Sequence, residues 1–219
     1  YFNFDTEEGE RIKIKFALSS VSTEGAIKNL IAEIPHWNFD ETRNETKAKW
    51  NKELSKIEVT TLNEGDKVNF YTALYHTNLS PILYQDVDGK YRGLDQNIQY
   101  SEGFTNYTVF SLWDTYRALH PLFNITQPKR NNDMIKSMLA HHDESVHNML
   151  PIWSHYANEN WCMIGYHATS VIADAMAKNV GDFDKKRALQ ASVNTANVRY
   201  FDGLGDYIDY KYVPDDKSH

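Results

Sequence analysis

GFTNYTVFSLWDTYRALHPLF, residues 103–123, is the stretch on which the fold is read. On an α-helix, at about 100° per residue, Val109, Leu112, Tyr116 and Leu119 fall on one stripe, the amphipathic signature. Tyr107, Phe110 and Trp113 carry the apolar surface round to about 240° of arc, leaving a gap of small residues: Thr108, Ser111, Thr115 and Ala118. A helix this apolar is expected to lie buried among other helices. Pro121 is expected to stop it. Asp114 projects beside Phe110 and Tyr107, which predicts a carboxylate inside or at the lip of a cavity. Two roles are open to it. Arg117 is within i,i+3 reach, so a buried Asp114–Arg117 pair could fix packing, as buried charges are normally paired. The alternative is a polar anchor for a hydroxyl-rich ligand, with Trp113 giving an apolar face to a sugar ring.

Towards the N-terminus, residues 10–18 (ERIKIKFAL) alternate, with Ile12, Ile14 and Phe16 on one face, and predict a half-buried strand. Ser22-Thr23-Glu24-Gly25 opens a helix to about Ile34, which Pro35 ends. Residues 39–57 read as a long charged helix whose main apolar residues are Trp50 and Leu54; such a helix bridges domains or lies on a surface. A further apolar helix over 67–76 follows Asn63-Glu64-Gly65-Asp66. Asp86, Asp88 and Gly89 resemble the start of a calcium loop, but the sixth position, where the EF-hand needs glycine, holds Tyr91. Asp88-Gly89 is therefore read as a two-residue hairpin turn between Tyr84 and Tyr91.

Towards the C-terminus, residues 127–150 predict a helix with Met134, Ile135, Met138 and Leu139 inside. His142 and His147 stand about 140° apart on it and cannot chelate one ion, so the histidine-rich part reads as a solvated polar face. Next comes a helix with Ile164, Ala168, Val171, Ile172 and Ala175 as its apolar stripe. Met163, His167, Ser170 and Asp174 share its neighbouring face; one straight helix cannot converge them into a catalytic triad. Glu159, beside Trp161 and just ahead of that helix, suits either a loop-borne site residue or a helix cap, a role Asn158 could also fill. A helix over 184–202 and a break at Gly203-Leu204-Gly205 complete the chain.

The chain has 219 residues, a length that suggests one domain. A net charge of −7 without any basic cluster argues against binding nucleic acid through its phosphates. The apolar runs are too short for a membrane span, and a single cysteine, Cys162, excludes an internal disulfide. The 14 tyrosines and 5 tryptophans suit carbohydrate stacking and an aromatic core equally. With no Met or signal sequence at Tyr1 and no closing element at His219, a piece of a longer polypeptide is expected.

The stretch YTVFSLWDTYRALHPL, together with VNFYTALYHTNLSP (68–81), DVDGKYRG (86–93), CMIGYHATSVIADA (162–175) and GLGDYIDYKYVPDD (203–216), resembles the bacterial α-mannosidases of glycoside hydrolase family 92. The resemblance implies an N-terminal β-sandwich, a helical linker and an (α/α)₆ barrel. On this chain it implies the end of the sandwich at 1–21, the linker at 22–60 and the first part of the barrel at 61–219. The expected fold class is thus mainly α: a partial (α/α)₆ toroid of about seven helices, with a short β remnant at the N-terminus. The implied activity is calcium-dependent, exo-acting, inverting removal of α-linked mannose from glycans, of the α-1,2 type. Inversion needs an acid and a base about 6.5–9.5 Å apart. That pair and the calcium ligands are implied to lie beyond His219, leaving no catalytic residue here. Trp113 and Asp114 match a substrate-contacting position; Glu159 and His167 are added from their loop and helix-start settings. A periplasmic or extracellular bacterial setting is implied as well. The remaining partners are mannose-containing glycans, the missing remainder of the chain, and an oligomer through exposed helix faces. Two other readings stay open: a non-catalytic carbohydrate-binding or structural piece, and an unrelated helical hydrolase with Asp114 and Glu159 as acid and base.

Overall fold

The computed structural model describes residues 1–163 and 165–217. Helices dominate. The first three are α1 (Thr23–Glu33), α2 (Phe39–Leu54) and α3 (Glu64–Thr77), which start at the side-chain caps Ser22, Asn38 and Asn63. Each cap accepts a backbone N–H that the first turn leaves unpaired. No residue of α2 is buried, as its charge predicts. It meets the body through Trp50, whose ring lies 4.6 Å from that of Tyr75, and through Glu53, which, like Lys56 just past the helix end, is bonded to the Gln127 amide.

Three two-stranded antiparallel ribbons follow: β1 (Ile82–Leu83) with β4 (Tyr107–Thr108), β2 (Lys90–Arg92) with β3 (Ile98–Tyr100), and β5 (Ser154–His155) with β6 (Asn158–Glu159). Between and after them run α4 (Leu112–Thr115), α5 (Leu119–Thr126), α6 (Pro128–Glu144), α7 (His167–Ala177), α8 (Lys185–Ala196) and α9 (Leu204–Tyr210), so nine helices occur among the described residues against about seven expected.

The buried central helix is α6. Met134, Ile135, Met138 and Leu139 are buried as their spacing predicts, and so are Asn131, Asn132, Ser137, His141 and His142 from its other sides. The expected solvated histidine face is therefore corrected. With α5, α7, α8 and β4 packed around it, α6 keeps no broad solvent face. It also ends at Glu144, well short of residue 150.

Residues 103–123 do not form one helix. They make β4, a left-handed turn at Val109 (φ 65°), the single turn α4, and then α5. Their apolar residues are buried as expected: Phe110, Leu112 and Phe123 join α6 and α7 in one core. Tertiary partners take the backbone groups that a helix would have used internally. The Val109 carbonyl accepts from the Ser80 hydroxyl at 3.0 Å, and the Phe110 N–H donates to the Ser154 carbonyl at 2.9 Å. Pro121 lies in the first turn of α5, where its missing N–H removes no helical bond, so it does not stop the helix.

Two N-terminal expectations also change. Residues 10–18 form no strand, and Ile12, Ile14 and Phe16 are exposed. No strand lies alongside them among the described residues. The segment is held instead by Lys13 and Lys15, whose ammonium groups donate to carbonyls just past α1, at Trp37 and Ile34. Asp88-Gly89 does turn the chain back on itself, with the Gly89 N–H bonded to the Asp86 carbonyl and the Asp86 N–H to the Lys90 carbonyl at 2.7 Å, but the loop is longer than two residues and the strand β2 pairs with β3. The Asp86 carboxylate is drawn into α1, where the Ser19 hydroxyl and the Asn29 amide donate to it at 2.7 and 2.8 Å. That packing leaves no room for a Cβ at Gly25.

Candidate functional site

Helix α4 is one turn held by its single buried residue, Leu112. With Leu112 inward, Trp113 and Asp114 face outward, and both are exposed. The Asp114 carboxylate accepts from the Ser111 hydroxyl at 2.6 Å. Arg117 does not close an ion pair with it among the described residues; its guanidinium lies over the Trp113 ring, 5.5 Å from the centroid. The expected buried Asp114–Arg117 pair is therefore corrected to an exposed carboxylate beside a cation–π contact.

The next residue along, Tyr116, stacks on His167 with ring centroids 4.5 Å apart and planes at 38°. His167 is the first residue of α7. Partial burial, and then the Arg117 charge, push its imidazole below the usual histidine range, which favours the neutral ring. Gly165, at φ 132°, runs so close beneath this ring that a Cβ would overlap it. Trp113 with Arg117 and Tyr116 with His167 thus form two neighbouring ring contacts, linked by the influence of the Arg117 charge on His167, with Asp114 exposed beside Trp113.

Beneath them lies a polar chain that the spacing did not reveal. Buried His120 donates through Nδ1 to the Asn131 amide oxygen at 2.9 Å. The Asn131 amide donates to Asn124 at 2.7 Å, and the Asn124 amide to the Asp174 carboxylate at 2.9 Å. Lys178 closes the chain 2.7 Å from Asp174. The helical row His167, Ser170, Asp174 is thereby divided: His167 serves the surface and Asp174 the interior network. A signal existed at Asn124, which sits within the apolar helix α5, but Asn131 lies in the polar run of residues 129–133 and gave none. Ile164, placed on the apolar stripe, lies outside the described residues.

Glu159 is buried in β6. Its carboxylate accepts the backbone N–H groups of Ile152 (3.0 Å), Trp153 (2.8 Å) and Trp161 (3.1 Å). It caps no helix, because α7 begins only at His167, so that alternative is corrected. Burial raises its pKa above the ordinary carboxylate value, and the amide bonds offset only part of that rise. His141 lies 3.6 Å away and is held neutral by burial, its pKa lowered to about 3. A carboxylate turned onto its own loop and fully engaged there does not behave as an open acid or base opposite Asp114.

Among the described residues one group of three metal-capable side chains comes together, His36, Glu41 and Glu45, with ligand atoms within 4.8 Å of one another. It contains an imidazole and lies on and just before α2, whereas calcium takes an all-oxygen shell. It does not fit calcium.

Residues 25–219 match the glycosyl hydrolase family 92 catalytic domain. The chain belongs to glycoside hydrolase family 92. A family 92 α-mannosidase of Bacteroides thetaiotaomicron is 54% identical and superposes with a TM-score of 0.87 over 91% of this chain and 27% of its own. A family 92 inverting mannosidase from strain VPI-5482 of that species is 27% identical, with a TM-score of 0.82 over 90% of this chain and 28% of its own. A protein of Arthroderma benhamiae described as an uncharacterized secreted glycosidase is 24% identical over 93% of this chain and 23% of its own. The family 92 chain thus spans about a quarter of the length of these relatives, and its mainly α architecture is part of the helical barrel of that family.

Proposed function

We propose that this chain is part of an exo-acting α-mannosidase and contributes a sugar-holding surface made of Trp113, Asp114 and His167. The observation that carries the reading is α4 itself. In a family 92 chain, a single helical turn holds a tryptophan and a carboxylate outward, against the Tyr116–His167 stack. Trp113 offers an apolar face for the C–H side of a pyranose, and Asp114 accepts from ring hydroxyls through charge-assisted hydrogen bonds. Neutral His167 can give or take one further bond. Bonds of this kind that tighten in the transition state lower the barrier. Glu159 has a different part, since its oxygens are already engaged.

A mannose-bearing substrate is supported by both Bacteroides relatives being mannosidases, and inversion at the anomeric carbon by the 27% identical one being an inverting enzyme. A mannoimidazole complex of the 54% identical enzyme agrees with a mannose-shaped site in that protein. Inversion requires an acid and a base, which this reading assigns to the protein beyond residue 219. Calcium would help hold sugar hydroxyls there; no step is assigned to it on this chain, whose gathered ligands do not suit it. Specificity for α-1,2 linkages, the division at 1–21, 22–60 and 61–219, and a periplasmic or extracellular setting belong to the same proposal. The secreted fungal relative supports the last of these. Among the described residues no helix is long and apolar enough to cross a membrane.

The test is hydrolysis of α-1,2-mannobiose by the full-length protein, wild type against Asp114→Ala, with anomeric stereochemistry followed by NMR. Release of β-mannose by the wild type, strongly reduced in the variant, is expected. An inactive wild type that still binds mannosides would favour a carbohydrate-binding role instead.

A further inference from the structure

We infer that Glu159 is a positioning residue: its carboxylate sets the loop that holds Val109 in its turn and thereby aims Trp113 and Asp114. The inference rests on the mannosidase reading for its consequence in turnover. The geometry runs in three steps. First, Glu159 ties both ends of the β5–β6 hairpin together, taking amides from Ile152 and Trp153 on one side and from Trp161 on the other. Tyr156, Ala157, Trp161 and Met163 all have φ between 48° and 65°. Non-glycine residues in that region persist only when their surroundings over-determine them. The carboxylate supplies such a constraint, and His141 adds another, with its Nδ1 3.0 Å from the Ser154 hydroxyl.

Second, the hairpin grips the strand leading to α4 on both sides of Val109. The Tyr156 N–H donates to the Thr108 hydroxyl at 2.9 Å, and the Ser154 carbonyl accepts from the Phe110 N–H at 2.9 Å. Third, Val109 is itself left-handed and β-branched, a combination that needs holding. Ser111 follows and begins the turn that carries Trp113 and Asp114. A loosened hairpin would free Val109, and α4 would lose its fixed direction.

The test uses the full-length protein and Glu159→Gln, which keeps the shape but turns an NH₂ group towards backbone donors. Two quantities are read: kcat/KM on an α-mannoside and amide exchange at Phe110 and Tyr156. Faster exchange at both amides, with α8 unchanged, is expected. A fall in kcat/KM of about 10- to 100-fold should accompany it, the size of loss that a small misplacement of a reacting group produces. If Glu159→Gln does not fold, Thr108→Val cuts the same relay at its far end and is expected to speed exchange at Tyr156 and lower kcat/KM. Unchanged exchange, or faster exchange with unchanged kcat/KM, would overturn the inference. A wild type inactive on every α-mannoside would overturn the mannosidase reading alone; the exchange measurement would still decide whether Glu159 orders the lead-in to α4.

Discussion

Residues 103–123 and helix α6 show similar apolar spacing in the sequence and meet different fates. α6 is one unbroken helix buried on nearly every side, while 103–123 is cut into a strand, a left-handed turn and two helices. Both contribute to the same core. What separates them is where the polar groups go. The buried amides of α6 find side-chain partners on α5 and in the 181–183 loop, so the helix can be enclosed without breaking its own ladder. Residues 107–111 give their backbone groups to other segments, which turns the chain outward at Trp113 and Asp114. Apolar periodicity reports burial, and the destination of the hydrogen bonds decides conformation.

The largest expected effect tests the interior side of this contrast. Asn131→Leu removes the centre of the chain from His120 to Asp174 and strands a buried donor on His120 and a buried acceptor on Asn124. At about 1–3 kcal/mol for each unsatisfied group, the full-length protein should lose several kcal/mol in denaturant unfolding. A loss under 1 kcal/mol would show that the helices repack without the network.

The next effect concerns pH. Burial lowers the His120 pKa to about 4, and an unfolded histidine titrates near 6.5. Well above pH 6.5 the ring is neutral in both states and stability does not depend on its protonation. As pH falls towards 4 the unfolded chain takes up a proton that the native state refuses, so stability is lost. Fully developed, which happens only near pH 4, this loss is on the order of 3 kcal/mol. His141 acts with the same sign. Glu144 and Glu159, whose pKa values are raised by burial, act oppositely just above pH 4.5. Denaturant midpoints between pH 7.5 and 4.5 should fall for the wild type and fall less for His120→Gln; parallel slopes would remove His120 from the account.

On the exposed side, Asp114→Ala should cost roughly 1.5–3 kcal/mol of transition-state binding, about one to two decades in kcat/KM. Its melting temperature should hardly move, because the carboxylate is exposed and bonded only locally to Ser111. A variant that melts early yet keeps its turnover per folded molecule would return Asp114 to a packing role.

The contrast also marks what the sequence could tell. Helices α1, α2, α3 and α8 were legible from their capping residues, Ser22, Asn38, Asn63 and Asp184, whereas α6 and α7 have no side-chain cap and were legible from their apolar periods alone. The outward placement of Trp113 and Asp114 and the helix-start position of His167 are visible in the structure, but the sequence did not show the link between α4 and α7, since a Tyr116–His167 stack needs two distant segments to meet. Glu159 was noticed for its position, but the three backbone amides of Ile152, Trp153 and Trp161 that its carboxylate accepts come from a hairpin that the sequence alone does not reveal. Residues 10–18 have the alternation of a strand but no neighbouring strand among the described residues, and alternation alone cannot supply one.

The smallest effect sharpens the surface itself. Arg117 does two things there: it covers the Trp113 ring and, after partial burial, it is the second influence lowering the His167 pKa. Replacing Arg117 with alanine removes a nearby positive charge, so the imidazolium of His167 becomes less costly and its pKa should rise towards the ordinary value. The rise should be incomplete, because burial is the larger cause and remains. Stability should change by no more than about 0.5–1 kcal/mol, the scale of one exposed cation–π contact. An NMR titration of the His167 ring in wild type and Arg117→Ala reads this directly. If the two curves coincide, Arg117 does not influence His167, and the surface divides into a Trp113–Arg117 part and a Tyr116–His167 part. If His167 rises while the other surface histidines stay put, the four side chains act as one electrostatic unit, as a single sugar-holding surface requires.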